Sequence, residues 1–135
     1  MLPDSTATRL GLPTILAPVS LGELIDRITI LQIKSQHLSG TALENVATQL
    51  SALELTLARV NLSIHPELLR QLKDVNANLW DIENEIREKE RAQDFGDSFV
   101  RLARSVYHQN DRRAALKKEI NTAYGSSFVE EKFYR

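Results

Sequence analysis

Apolar residues recur along this chain at alternating spacings of three and four, the rhythm of one face of an α-helix. Leu21, Leu24, Ile25, Ile28 and Leu31 form a first stripe, which Ile30 and Ile33 widen. Ser20 stands three residues before Glu23, the capping-box spacing in which each side chain satisfies a free backbone N–H of the first turn. Thr41 and Glu44 repeat that spacing ahead of a second stripe, Leu43, Val46, Ala47, Leu50, Leu53, Leu57 and Val60. Pro66 suits the first turn of a third helix, where its missing N–H would be unpaired anyway. Leu68 or Leu69, Leu72, Val75, Leu79, Ile82 and Ile86 then make a coiled-coil-like seam of nearly three heptads. Asp97 is placed to cap a fourth helix, whose apolar positions are Phe99, Leu102, Ala103, Val106, Tyr107, Ala114, Leu116, Ile120 and Tyr124. Gly125 supplies a left-handed stop.

These signals predict an all-α chain, a four-helix antiparallel bundle over residues 20–125 with helices at about 20–38, 41–60, 66–92 and 97–124. Residues 1–19, broken by Pro3, Pro13 and Pro18, are expected to form an extended arm. At about 1.5 Å per residue the last two helices are about 40 Å long and the first two nearer 28 Å. The longer pair must overhang the shorter or meet a second copy, so a homo-oligomer, a dimer, is expected. The tail, residues 126–135, is rich in aromatics for a chain with only 6% of them. Its Phe128, Val129, Phe133 and Tyr134 are expected to dock, on the bundle or on a protein partner, because solvent-exposed they would form an adhesive end.

Composition narrows the chemistry. With 135 residues, 42% hydrophobic and 26% charged, the chain is the size and make-up of one globular domain. It has no cysteine, which removes thiolate metal sites and thiol nucleophiles and fits a cytoplasmic protein. His37, His65 and His108 fall in no metal-ligand spacing, and no Gly-rich phosphate loop or nucleophile elbow is present, so no metal, cofactor or catalytic residue is expected. A net charge of -1 gives no bulk attraction to nucleic acid, and no apolar run is long enough for a membrane span.

What remains are polar residues beside the apolar stripes. Asp26 in the first helix, Asn76, Trp80 and Glu83 in the third, and Tyr107, Asn110, Arg113 and Lys117 in the fourth fall at helical spacings. If those stripes converge, they form a groove able to bind an anionic small molecule, with Arg113 pairing a carboxylate or phosphate. Residues 97–125 carry a net +3 and residues 66–92 a net -2, which suits a hairpin laced by exposed ion pairs. Alternatively Arg101, Arg104, His108 and Arg112, spaced three, four and four, make an anion-binding face.

Two longer stretches carry a resemblance: Pro18-Val-Ser-Leu-Gly-Glu-Leu-Ile-Asp-Arg-Ile-Thr-Ile-Leu-Gln-Ile-Lys34, and Phe95-Gly96 through Ala103-Arg-Ser-Val-Tyr-His-Gln-Asn-Asp-Arg-Arg-Ala-Ala-Leu-Lys117. With Asn76 to Arg87 and the closing Val129-Glu-Glu-Lys-Phe-Tyr134, they resemble a bacterial domain family of unknown function over about residues 18–134. Its members are small helical proteins, sometimes joined to tetratricopeptide repeats or encoded near glycosyltransferases. The resemblance implies a link to surface polysaccharide assembly and brings no catalytic residue. A much weaker likeness is to the all-helical chorismate mutases, echoed by Leu24-Ile-Asp26, although Gly22 stands where their pattern has arginine. The expectation is a non-catalytic interaction or accessory module that self-associates. The alternative is a small-molecule-binding protein or enzyme acting on an anionic or sugar-nucleotide ligand.

Overall fold

The computed structural model describes residues 11–132, and these form four α-helices and no strand: α1 (Leu21–His37), α2 (Gly40–Val60), α3 (Pro66–Arg91) and α4 (Asp97–Ala123). Helix α1 packs against each of the other three, whereas the backbone of α2 comes close to α1 alone and only its side chains, Leu57 among them, reach toward the core shared with α3. That central position explains the wide stripe of α1: Leu24, Ile25, Ile28, Leu31 and Ile33 are all buried. On α2 only Val46 is buried, and Ala47 and Val60 of its apolar set are exposed, because the helix has one neighbour instead of two.

The core gathers where α1 lies on the α3–α4 pair. Ile25, Leu72, Val75, Leu116 and Ile120 form it, with Leu57, Ile64, Leu69 and Tyr124 packed around them. No residue between Asn76 and Leu116 is buried. Helix α1 ends at His37, whose ring stacks on Trp80 at 4.7 Å, and beyond that level α3 and α4 run on as a bare pair. From Trp80 to Arg91 the overhang is about 17 Å long.

Local signals decide most of the helix ends, with three differences. Ser20 Oγ accepts from the Glu23 N–H at 3.0 Å, but the Glu23 carboxylate turns to Arg27 and Lys117 instead of completing the capping box. Helix α2 begins one residue before Thr41, with Ser39 as its N-cap and no side-chain cap, so Thr41 lies inside the first turn. Gly96, not Asp97, is the N-cap of α4; Asp94 accepts from its N–H, and Asp97 is the first helical residue, where its charge faces the positive end of the helix dipole. Pro66 opens α3, and His65 Nδ1 accepts from the Glu67 N–H. Gly125, at φ +64°, follows the C-cap of α4.

The stretch after α4 folds back on the start of α1, through polar atoms. Ser126 Oγ accepts from the Leu21 N–H at 3.1 Å, and Glu130 accepts from Asn121 Nδ2 at 2.9 Å and from Ser20 Oγ. Lys118 pairs with Glu131, and Lys132 with Asp111. Docking on the bundle through apolar side chains is not what holds it: Phe128 and Val129 remain 53% and 41% exposed, and Glu130 and Glu131, which follow them, make the contacts. Phe133 and Tyr134 lie outside the described residues.

Candidate functional site

Three helices deliver polar groups to one buried point. Asp26, in the middle of α1, is fully buried, and a buried carboxylate persists only when its lone pairs are engaged. Arg113 of α4 meets it with two prongs, Nε at 2.9 Å from Oδ1 and Nη2 on Oδ2. Asn76 of α3 donates from Nδ2 to Asp26 Oδ1 at 2.9 Å and to Thr29 Oγ1 at 2.8 Å, and the threonine hydroxyl donates to the Asp26 carbonyl. The Asp26 carboxylate, through its hydrogen bond, raises the Arg113 guanidinium above its ordinary value against the opposing effect of burial.

One turn toward the start of α1 the helices come closer still. Lys117 donates to Glu23 at 2.5 Å, and Asn121 Oδ1 accepts from the Gly22 N–H at 2.7 Å. A Cβ on Gly22 would stand 2.5 Å from the Lys117 carbonyl oxygen, so α1 and α4 cross here without room for any side chain. An arginine, as in the mutase pattern, could not occupy this position. Burial pushes the Glu23 carboxyl up, but hydrogen bonds from Lys117 and Arg27 outweigh it and leave the group below its ordinary value. Ser20, Asn121 and Ser126 thus satisfy the first three free N–H groups of α1.

Above this cluster a groove of about 520 Å³ opens between the end of α1 and the two long helices. Ile30, Ile33, Leu79 and Trp80 supply its apolar wall; Asn76, Glu83, Asn110 and Arg113 are among its polar lining. Five of the residues picked out from the sequence therefore meet in one place. Asp26 lies beneath them, its oxygens already taken, and Lys117 is engaged by Glu23. Tyr107 is half-exposed farther along α4, its ring 4.2 Å from that of His108.

Arg101, Arg104, His108 and Arg112 are all exposed, and among the described residues none makes an ion pair. The expected lacing of α3 to α4 by ion pairs is absent among the described residues. The α3 charges instead pair close in sequence, Arg87 with Glu83 and Arg91 with Glu88, because i,i+3 and i,i+4 partners lie within reach on one helix. Gln109, which no sequence signal distinguished, carries a buried side-chain oxygen with no hydrogen-bond partner. It falls in the α4 seam, three residues from Val106 and four from Arg113. Among the described residues no group of three or more histidine or acidic side chains could hold a metal ion, and no helix is long and apolar enough to cross a membrane.

A model of one protein family, described as a family of unknown function (DUF6165), matches residues 16–135. The chain belongs to DUF6165. No curated protein and no solved structure matches it. Within this DUF6165 chain the matched region takes in all four helices, the buried Asp26 cluster and the groove above it.

Proposed function

We propose that this DUF6165 chain is a non-catalytic helical interaction module of the cytoplasm that works as a self-associated antiparallel bundle, a dimer. The observation that carries this is the absence of any buried residue between Asn76 and Leu116, although the apolar seam continues through Ile82, Ile86, Leu102 and Val106. Two helices side by side bury only the line between them, and a seam of this kind is completed when further helices cover it. The Asp26 cluster is a staple between α1, α3 and α4: each carboxylate oxygen already accepts from arginine. The link to surface polysaccharide assembly rests on the family resemblance alone. Light scattering on the purified chain tests self-association; a dimer at micromolar concentration is expected, and a strict monomer there refutes it.

One observation favours a second reading. Asn76, Trp80, Glu83, Asn110 and Arg113 converge on a groove whose volume falls in the range of small-molecule sites, roughly 300–1,000 Å³. If it takes an anionic or sugar-nucleotide ligand, that ligand at 100 times its Kd stabilises the fold by about 2.7 kcal/mol. A thermal-shift screen across sugar nucleotides, chorismate and prephenate would show it, and no shift with any of them removes this reading.

A further inference from the structure

The groove lies where α1 stops and the bare part of the α3–α4 hairpin starts. Asn110 lines it, and three, seven and ten residues earlier Tyr107, Ala103 and Val100 continue the same face of α4 toward the hairpin tip. No residue of that continuation is charged; the cations Arg101, Arg104 and Arg112 sit at the intervening positions. Val100 and Tyr107 are each about half-exposed. At the tip itself Phe95 is 52% exposed and stands edge to face with Phe99, ring centres 5.3 Å apart. On α4 an uncharged face thus runs from an aromatic tip to the groove, whose apolar wall is Ile30, Ile33, Leu79 and Trp80 and whose α3 side carries Asn84 and the mutually paired Glu83 and Arg87.

We propose that the Phe95–Phe99 tip of one copy seats in the groove of a second copy, with the two hairpins laid antiparallel face to face; this rests on the self-association proposed above. Helix α1 decides the direction. It covers the face of the hairpin as far as the His37–Trp80 stack, so two hairpins pointing the same way would bring both α1 helices into the space between them. Laid antiparallel, each hairpin fills the layer that the other copy's α1 leaves open. The lengths match, because an overhang of about 17 Å past Trp80 carries the tip of the partner back to the level of Trp80 and its groove. The contact is its own counterpart under a two-fold axis, the closed arrangement most common among homo-oligomers. A face about 17 Å long and two helices of ~10 Å wide covers about 680 Å² on the two copies together, and the inserted tips supply the remainder of the roughly 1,000 Å² that a specific interface needs.

Trp80, the single tryptophan, lines the groove and reports its occupancy. Sedimentation equilibrium and Trp80 emission, followed together on the full chain over a range of concentrations, test the proposal. Dimer formation and a shift in emission should run in parallel, and Phe95→Ser, at a position exposed in the single chain, should weaken both at least ten-fold. Because the chain has no cysteine, a variant with both Asn84→Cys and Phe95→Cys should oxidise to a covalent dimer, with monomer retained when either replacement is alone. A wild-type dimer whose Trp80 emission ignores concentration, or that Phe95→Ser leaves intact, overturns the seating while self-association stands. A wild-type monomer at every concentration overturns both.

Discussion

The two halves of the α3–α4 hairpin carry the same apolar seam and differ in what covers it. In the half near the chain ends, α1 lies across the pair, and Leu72, Val75, Leu116 and Ile120 are buried around the Asp26–Asn76–Arg113 cluster. In the half near the turn, Ile82, Ile86, Leu102 and Val106 occupy equivalent helical positions and stay only partly buried. The difference teaches that heptad spacing fixes which way a side chain points, whereas burial depends on a third helix being long enough to arrive. Here α1 has 17 residues against 26 and 27 for α3 and α4, and the seam outruns its cover.

Removing the staple of the covered half should have the largest effect. Asp26→Ala leaves Arg113 without its counter-ion and Asn76 without an acceptor, and loss of one partner from a buried pair costs about 3–5 kcal/mol. Urea unfolding should show it, while Asp81→Ala in the bare half should stay within about 0.5 kcal/mol. Next comes Leu72→Ala, at a fully buried position, at about 2–5 kcal/mol whatever the protein concentration. For Ile86→Ala the loss should grow with concentration, since part of its burial is supplied by the second copy; equal losses at all concentrations would erase the contrast.

Gly22→Ala should follow, at about 1–3 kcal/mol by thermal unfolding, because the atom it strikes is the Lys117 carbonyl of the α4 backbone, which cannot swing aside. The smallest effect is a pH dependence at Glu23. Its folded value lies below the ordinary 4.5, so its contribution is complete above 4.5 and is lost as pH falls through the lower folded value. The gap in Tm between the wild type and Glu23→Gln should therefore be widest at neutral pH and close on acidification. A gap that stays constant would mean that the bonds from Lys117 and Arg27 add nothing to stability.

Much of the helical framework was legible because its signals are local. Ser20 before Glu23, Pro66 at the head of α3 and Gly125 after α4 act within one turn of where they stand. The convergence of Asn76, Trp80, Asn110 and Arg113 was legible too, since spacings of three and four put polar residues on one edge of a seam. The composite cap on α1 was not. Asn121, Ser126 and Glu130 reach residues about 100 positions earlier, and on its own helix Asn121 looks like any surface amide. Gly22 reads as a tolerated glycine in a first turn until the α4 backbone is set against it. The tail's aromatic residues stand out by composition, while its attachment is made by carboxylates whose partners no local pattern announces.

Hydrogen exchange measured at low and high protein concentration addresses the central claim most directly, that one half of the hairpin is complete within the chain and the other is completed by a second copy. Backbone amides of residues 68–76 and 113–121 should be protected equally at both concentrations, as expected where cover is intramolecular. Amides of residues 80–91 and 97–110 should exchange faster in dilute solution and gain protection as concentration rises. Protection of that half that is independent of concentration would contradict the account.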